Sequence, residues 1–124
     1  MAALVREEGR ILLTQRRADQ SMPLQWEFPG GKIEEGESPT AALERELAEE
    51  LGARSRVGPI YEVLFYRYRD FDLYLLVYEC VLEDPPRPVE VAQVVWVEPH
   101  ELGRYPILPA DAPLIARLQR EAGC

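Results

Sequence analysis

The sequence predicts an α/β domain in which helices are inserted among the strands of a mixed sheet. Two observations predict it. β-rich runs recur along the chain, at Leu4–Val5, Ile11–Thr14, Val57–Arg67, Phe71–Leu82 and Gln93–Val97, and two amphipathic helical patterns fall between and after them. The 124-residue length and an apolar fraction of 47% suit one core, so a single domain spanning 1–124 is expected.

The first two strands flank Arg6-Glu7-Glu8-Gly9-Arg10, which reads as a turn carried by Gly9. Arg16–Pro29 reads as irregular, and Gly30-Gly31 leads into a short extended piece, Lys32–Glu34. Pro39–Leu51 is the clearest helix. Ser38 stands at its N-cap, Pro39 in its first turn and Gly52 at its C-terminal cap, while Leu43, Leu47 and Leu51 recur every four residues as a buried stripe. The next two strands meet at a turn around Arg69-Asp70, Asp84–Pro88 with its prolines is a loop, and Pro113–Glu121 is a second helix behind Asp111.

Composition narrows the function. Lys and Arg number 14 against 22 Asp and Glu, a formal charge of −8, which disfavours binding to a nucleic acid polymer. No apolar run is long enough to span a membrane, and Met1–Arg17 has no cleavable apolar segment, so a cytoplasmic protein is expected. Cys80 and Cys124 with the lone His100 cannot build a zinc cage; reduced thiols are expected rather than a bond between the two cysteines. His100, in Glu98-Pro99-His100-Glu101, reads as an exposed turn residue and not a ligand.

The helix Pro39–Leu51 is acidic where acidity is unfavourable. Glu46, Glu49 and Glu50 fall within about 100° of one another beside the leucine stripe. Like charges at i and i+4 repel, and the C-terminal half of a helix disfavours carboxylates. Arg45 relieves Glu49 at i+4 but cannot serve all three. A solvated acidic face is the ordinary account of such a patch; a site for a hard divalent cation is the other.

The flanking residues decide for the cation. Gly31 is followed by five residues and Glu37, and seven more lead to Arg45-Glu46-Leu47-Ala48-Glu49-Glu50-Leu51-Gly52. This pattern, 31–53, resembles the box of the Nudix hydrolases; its one departure is Ala53, where the family prefers a larger aliphatic residue. The resemblance implies a mixed sheet in an α/β/α sandwich with the box as loop–helix–loop, and hydrolysis of a diphosphate linked to another moiety. It implies Glu46, Glu49 and Glu50 as metal ligands, the carbonyl of Gly30 as a further one, Arg45 as the group that orients the glutamates, and Glu37 as a brace. Gly31 and Gly52 are the fixed glycines. The implied metal is Mg²⁺, with Mn²⁺ as an alternative.

Outside the box the chain is similar to the MutT branch, which hydrolyses nucleoside triphosphates to monophosphate and pyrophosphate. Leu13–Arg17 and Trp26–Lys32 carry this likeness, Glu90 falls where members have an additional metal-binding or basic glutamate, and Pro109–Leu114 resembles the segment that reads the base. Met1–Val5 begins inside what the resemblance makes the first strand, which points to residues upstream. Asp111 replaces the asparagine of the 8-oxoguanine-specific members; it can accept from a cytosine amine, accept from an oxidised guanine, or simply cap the second helix. Phe28 either stacks on a base or packs in the core, and Arg16, Arg17 and Lys32 either bind phosphates or are solvated charge. Of the aromatics between Tyr61 and Tyr78, most are expected on sheet faces and one or two in the pocket.

The expected function is therefore Mg²⁺-dependent hydrolysis of an oxidised or modified nucleoside triphosphate, 8-oxo-dGTP-like or dCTP-like, by a monomer or homodimer. A Nudix hydrolase of a dinucleoside polyphosphate, ADP-ribose or a nucleotide sugar is the second reading. A nucleotide sensor without catalysis is the third, disfavoured because every box glutamate is present.

Overall fold

Residues 1–123 are described by a computed structural model; Cys124, and with it the pairing expectation for Cys80, lies outside the described residues. The strands are β1 (Ala2–Glu7), β2 (Arg10–Gln15), β3 (Trp26–Glu27), β4 (Ser55–Arg67), β5 (Asp72–Leu82) and β6 (Gln93–Val97), and the helices α1 (Pro39–Leu51) and α2 (Ala112–Glu121). They form a mixed 6-stranded sheet in the order β3-β2-β1-β5-β4, with β6 on β2. Among the described residues the β1–β5 ladder is parallel and the other ladders are antiparallel.

Period-2 alternation along β1 and β2 sorts the core onto two faces. Leu4, Ile11 and Leu13 point to one side, where Leu114 and Leu118 of α2 join them. Ala3, Val5 and Leu12 point to the other, against Leu43, Leu47 and Leu51 of α1. These leucines are fully buried, each stabilising by about 1.5–3 kcal/mol. The result is the α/β/α sandwich expected from the sequence.

β1 and β2 pair only beside their turn, at Arg6↔Ile11 and Glu7↔Arg10, and then splay apart. The gap is filled by β3, which pairs with Thr14 and Gln15, and by the segment after it. The Ala3 N–H donates to Pro29 O (2.8 Å), and the Gly31 N–H to Met1 O (3.1 Å). The Gly-Gly segment is thus built into the sheet.

The ends of α1 follow the residues named for them. Ser38 accepts from the Ala41 N–H, and Gly52 takes the left-handed conformation with its N–H on Ala48 O. β4 contains Gly58-Pro59, which it accommodates with register shifts between Val57 and Glu62, as an edge strand can.

Three local expectations are corrected. Trp26–Glu27 is a strand inside the stretch expected to be irregular, because the splay offers it a partner. Lys32–Glu34 joins no ladder; its N–H and C=O groups find no strand beyond Gly31. Asp111 makes no side-chain cap to α2: a tight turn at Pro109–Asp111 leads into the helix and buries the carboxyl instead.

Candidate active site

The centre of the site is the contact between the Gly-Gly segment and α1. A Cβ on Gly31 would overlap the carboxylate of Glu46, and one on Gly30 would overlap the main-chain carbonyl of Met1. Only glycines let the helix carboxylate and the strand approach this closely. Arg45 ties the same region together. Its Nε and Nη2 grip Glu37 at 2.7 and 2.9 Å, Nη1 reaches Glu46 at 3.0 Å and Glu49 at 3.2 Å, and Nη2 also bonds the Lys32 carbonyl at 3.2 Å. Glu37 additionally accepts from the Glu34 N–H, so the loop is braced to the helix. This hydrogen bonding with Arg45 holds the Glu37 carboxyl below its usual range and keeps Arg45 charged well above the normal guanidinium range.

Beside Glu46 lies a cleft of about 670 Å³. Three carboxyls on its wall are pushed up by burial, two of them also by neighbouring carboxylates. Glu50 rises to about 9, first through burial and then through Glu27 and Glu46, against a stabilising hydrogen bond from the Gly30 N–H. Asp111 rises to about 7, through burial and then Glu27, opposed by a hydrogen bond from the Phe28 main chain. Burial also raises Glu27, with Arg16 opposing. A crowd of oxygen donors that resists ionisation without positive charge fits a hard divalent cation.

The sequence profile described as the NUDIX domain matches residues 1–118. The chain belongs to the Nudix family. An 8-oxo-dGTP diphosphatase of Haemophilus influenzae is 42% identical over 127 residues, covering 97% of this chain and 90% of the relative. A CTP pyrophosphohydrolase of Escherichia coli is 37% identical over 119 residues, covering 93% and 86%. The solution structure of the E. coli ORF135 protein superposes with a TM-score of 0.76 at 36% identity, covering 93% of this chain and 83% of that one. Nudix hydrolases generally use a divalent metal ion, and the donor set of this chain is in keeping with one.

Most of the residues singled out in the sequence meet at the cleft of this Nudix domain. Glu46 and Glu50 line it from α1, Gly30 and Gly31 from the loop, and the base-reading candidates Phe28 and Asp111 line it too. Glu90 and Lys32 are exposed on its rim. Glu49 does not line the cleft; its side chain is 47% exposed and paired with Arg45. Arg16 is neither solvated nor free: it bonds Glu27 (3.0 Å), Ser21 O (2.8 Å) and Ser21 Oγ (3.1 Å). Phe28 packs in the core and also borders the cleft. Gly52 sits at the helix end, beneath the Arg87 guanidinium.

Glu27 was missed as a site residue. Its one signal is a carboxylate immediately before Phe28-Pro29-Gly30-Gly31. Of the aromatics in the β4–β5 region, Tyr68 and Phe71 line the cleft and stack on each other with centroids 4.8 Å apart. Glu98, His100 and Glu101 bring ligand atoms within 4.8 Å, but the glutamates close a capping box at Pro99–Arg104 and His100 is exposed, as expected of a turn residue. Among the described residues no helix is long and apolar enough to cross a membrane.

Proposed function

We propose that this Nudix hydrolase cleaves oxidised or modified nucleoside triphosphates, 8-oxo-dGTP-like or dCTP-like, to nucleoside monophosphate and pyrophosphate. One observation carries the reading: one cleft is lined both by the box carboxylates Glu46 and Glu50 and by the aromatic and acidic groups Phe28, Tyr68, Phe71 and Asp111. A ligand that fills it has charge at one end and a flat, hydrogen-bonding group at the other. The Haemophilus and Escherichia relatives, an 8-oxo-dGTP diphosphatase and a CTP pyrophosphohydrolase, support the same class.

The metal would be Mg²⁺, replaceable by Mn²⁺, held by Glu46, Glu49, Glu50, Glu90 and the Gly30 carbonyl; when bound it neutralises triphosphate charge and lowers the pKa of the attacking water. The chain's own groups do the rest. Arg45 orients Glu46 and Glu49, and the Gly30 N–H orients Glu50. Glu90 serves either as an additional metal ligand or as the base that takes the proton as water oxygen bonds to phosphorus and a bridging P–O bond breaks. Phe28, Tyr68 and Phe71 offer apolar faces to the base, and Asp111 reads its edge.

Pyrophosphate release from 8-oxo-dGTP, dGTP, dCTP, 5-methyl-dCTP and CTP with Mg²⁺, beside a Glu50→Gln control, tests the reading. Turnover of 8-oxo-dGTP or of the cytosine nucleotides, abolished by the substitution, is expected. Silence on all five with cleavage of ADP-ribose or a diadenosine polyphosphate would overturn the substrate and keep the hydrolase.

A further inference from the structure

Glu90 stands on the loop between β5 and β6, and among the described residues its carboxylate has no hydrogen bond or ion pair of its own. Its main chain, in contrast, is held on both sides. The Glu90 N–H donates to Glu50 O (3.1 Å), beside the Val89 N–H on the same carbonyl (3.0 Å). The Glu90 carbonyl accepts from Arg17 Nη1 (3.2 Å), which comes from the segment after β2. Arg17 is itself aimed: its Nε bonds Asp19 Oδ1 (3.0 Å), and its own N–H bonds Gln20 Oε1 (2.8 Å). Two residues on, the Ala92 N–H donates to Gln15 O (2.9 Å). Both Arg17 and Glu90 line the cleft.

We infer that Arg17 is a positioning residue for Glu90, fixing the peptide that follows it so that the carboxylate stays at the cleft. A long, exposed glutamate on a loop loses little by wandering, and its reach is set by its backbone. Holding the N–H alone leaves the following peptide free to rotate; the Arg17 bond to the carbonyl removes that freedom. One guanidinium edge is thereby spent on protein acceptors, and Asp19 offsets part of its charge. The inference rests on the assignment of Glu90 to the site.

The rival is a direct contact between Arg17 and substrate phosphate, and a double-mutant cycle separates the two. Arg17→Gln, Glu90→Gln and the double variant are compared for kcat and KM on 8-oxo-dGTP and dCTP, and amide hydrogen exchange of Val89–Ala92 is followed in the metal-free protein. Arg17→Gln is expected to lower kcat about five- to tenfold with KM within about twofold, to add less than about twofold to Glu90→Gln, and to speed exchange of those amides several-fold. Full additivity, a rise in KM alone, or unchanged exchange overturns the inference. Wild-type turnover by Glu90→Gln overturns it too, by a different route, since it removes Glu90 from the site.

Discussion

Arg45 and Glu37 form a two-pronged pair, Nε to Oε2 at 2.7 Å and Nη2 to Oε1 at 2.9 Å, and the same guanidinium reaches back to Glu46 and Glu49. The geometry needs a planar fork, which lysine lacks. Arg45→Lys is therefore expected to lower turnover by about 10- to 100-fold and to raise the Mg²⁺ concentration needed for half-maximal activity. Steady-state kinetics across a Mg²⁺ titration checks this; unchanged kinetics would show that the fork is dispensable.

Neighbouring glycines are expected to differ in what their loss costs. A Cβ at Gly30 meets main chain, and one at Gly31 meets the end of a flexible side chain. Gly30→Ala should destabilise the fold by about 2–4 kcal/mol through disruption of the β1 contact. Gly31→Ala should destabilise much less and instead weaken Mn²⁺ binding, because Glu46 must move. Urea unfolding and calorimetric Mn²⁺ titration of both variants distinguish the two effects.

Asp84 accepts from the Arg54 main-chain N–H (2.9 Å) and from its guanidinium (3.0 Å twice), which holds its carboxyl down at about 2. An unfolded-state aspartate titrates near 3.9. The folded value is the lower, so the pair's stabilisation is present above about pH 4 and is lost as pH falls from there to about 2. The difference in unfolding midpoint between wild type and Asp84→Asn should be constant above pH 5 and shrink through that window. A difference that persists at pH 2 would contradict the assignment.

Asp111, buried and raised to about 7, changes its hydrogen-bonding character near neutrality. Below that pH it donates and accepts; above it, it only accepts. The ratio of turnover on 8-oxo-dGTP to turnover on dCTP is expected to shift between pH 6 and 8 in wild type and to stay flat in Asp111→Asn. Measuring kcat/KM for both nucleotides across that range checks it.

Local chemistry made much of this legible in the chain. Ser38, Pro39 and Gly52 mark the bounds of α1 because caps act within a turn of the helix. The spacing from Gly31 to Gly52 located the helix that carries the carboxylates. Other features depend on partners far away in sequence. Trp26–Glu27 is a strand only because β1 and β2 separate, and nothing in its own residues marks that gap. Arg16 reads either as a phosphate-binding group or as solvated charge; the solvated reading fails because Glu27 and Ser21 hold its side chain at the cleft. The capping role weighed for Asp111 rested on its place before a helix, and burial against the Phe28 segment took the carboxyl elsewhere.

The wedging of Pro29–Gly31 between the first two strands has a consequence for how this protein can vary in length. Main-chain bonds from Ala3 and Gly31 fix the register of that segment residue by residue, so one inserted amino acid between Phe28 and Gly31 would displace the glycine from beneath Glu46. From Lys32 to Glu37 the main chain is tied down as well, by Arg45 on the Lys32 carbonyl, by the Glu37 carboxylate on the Glu34 N–H and by the Glu37 N–H on Glu34 O. Insertions in natural or engineered descendants should therefore be missing from both sides of Gly31: on the strand side they would pull the catalytic carboxylates out of step with the sheet, and on the helix side they would part Glu37 from Arg45.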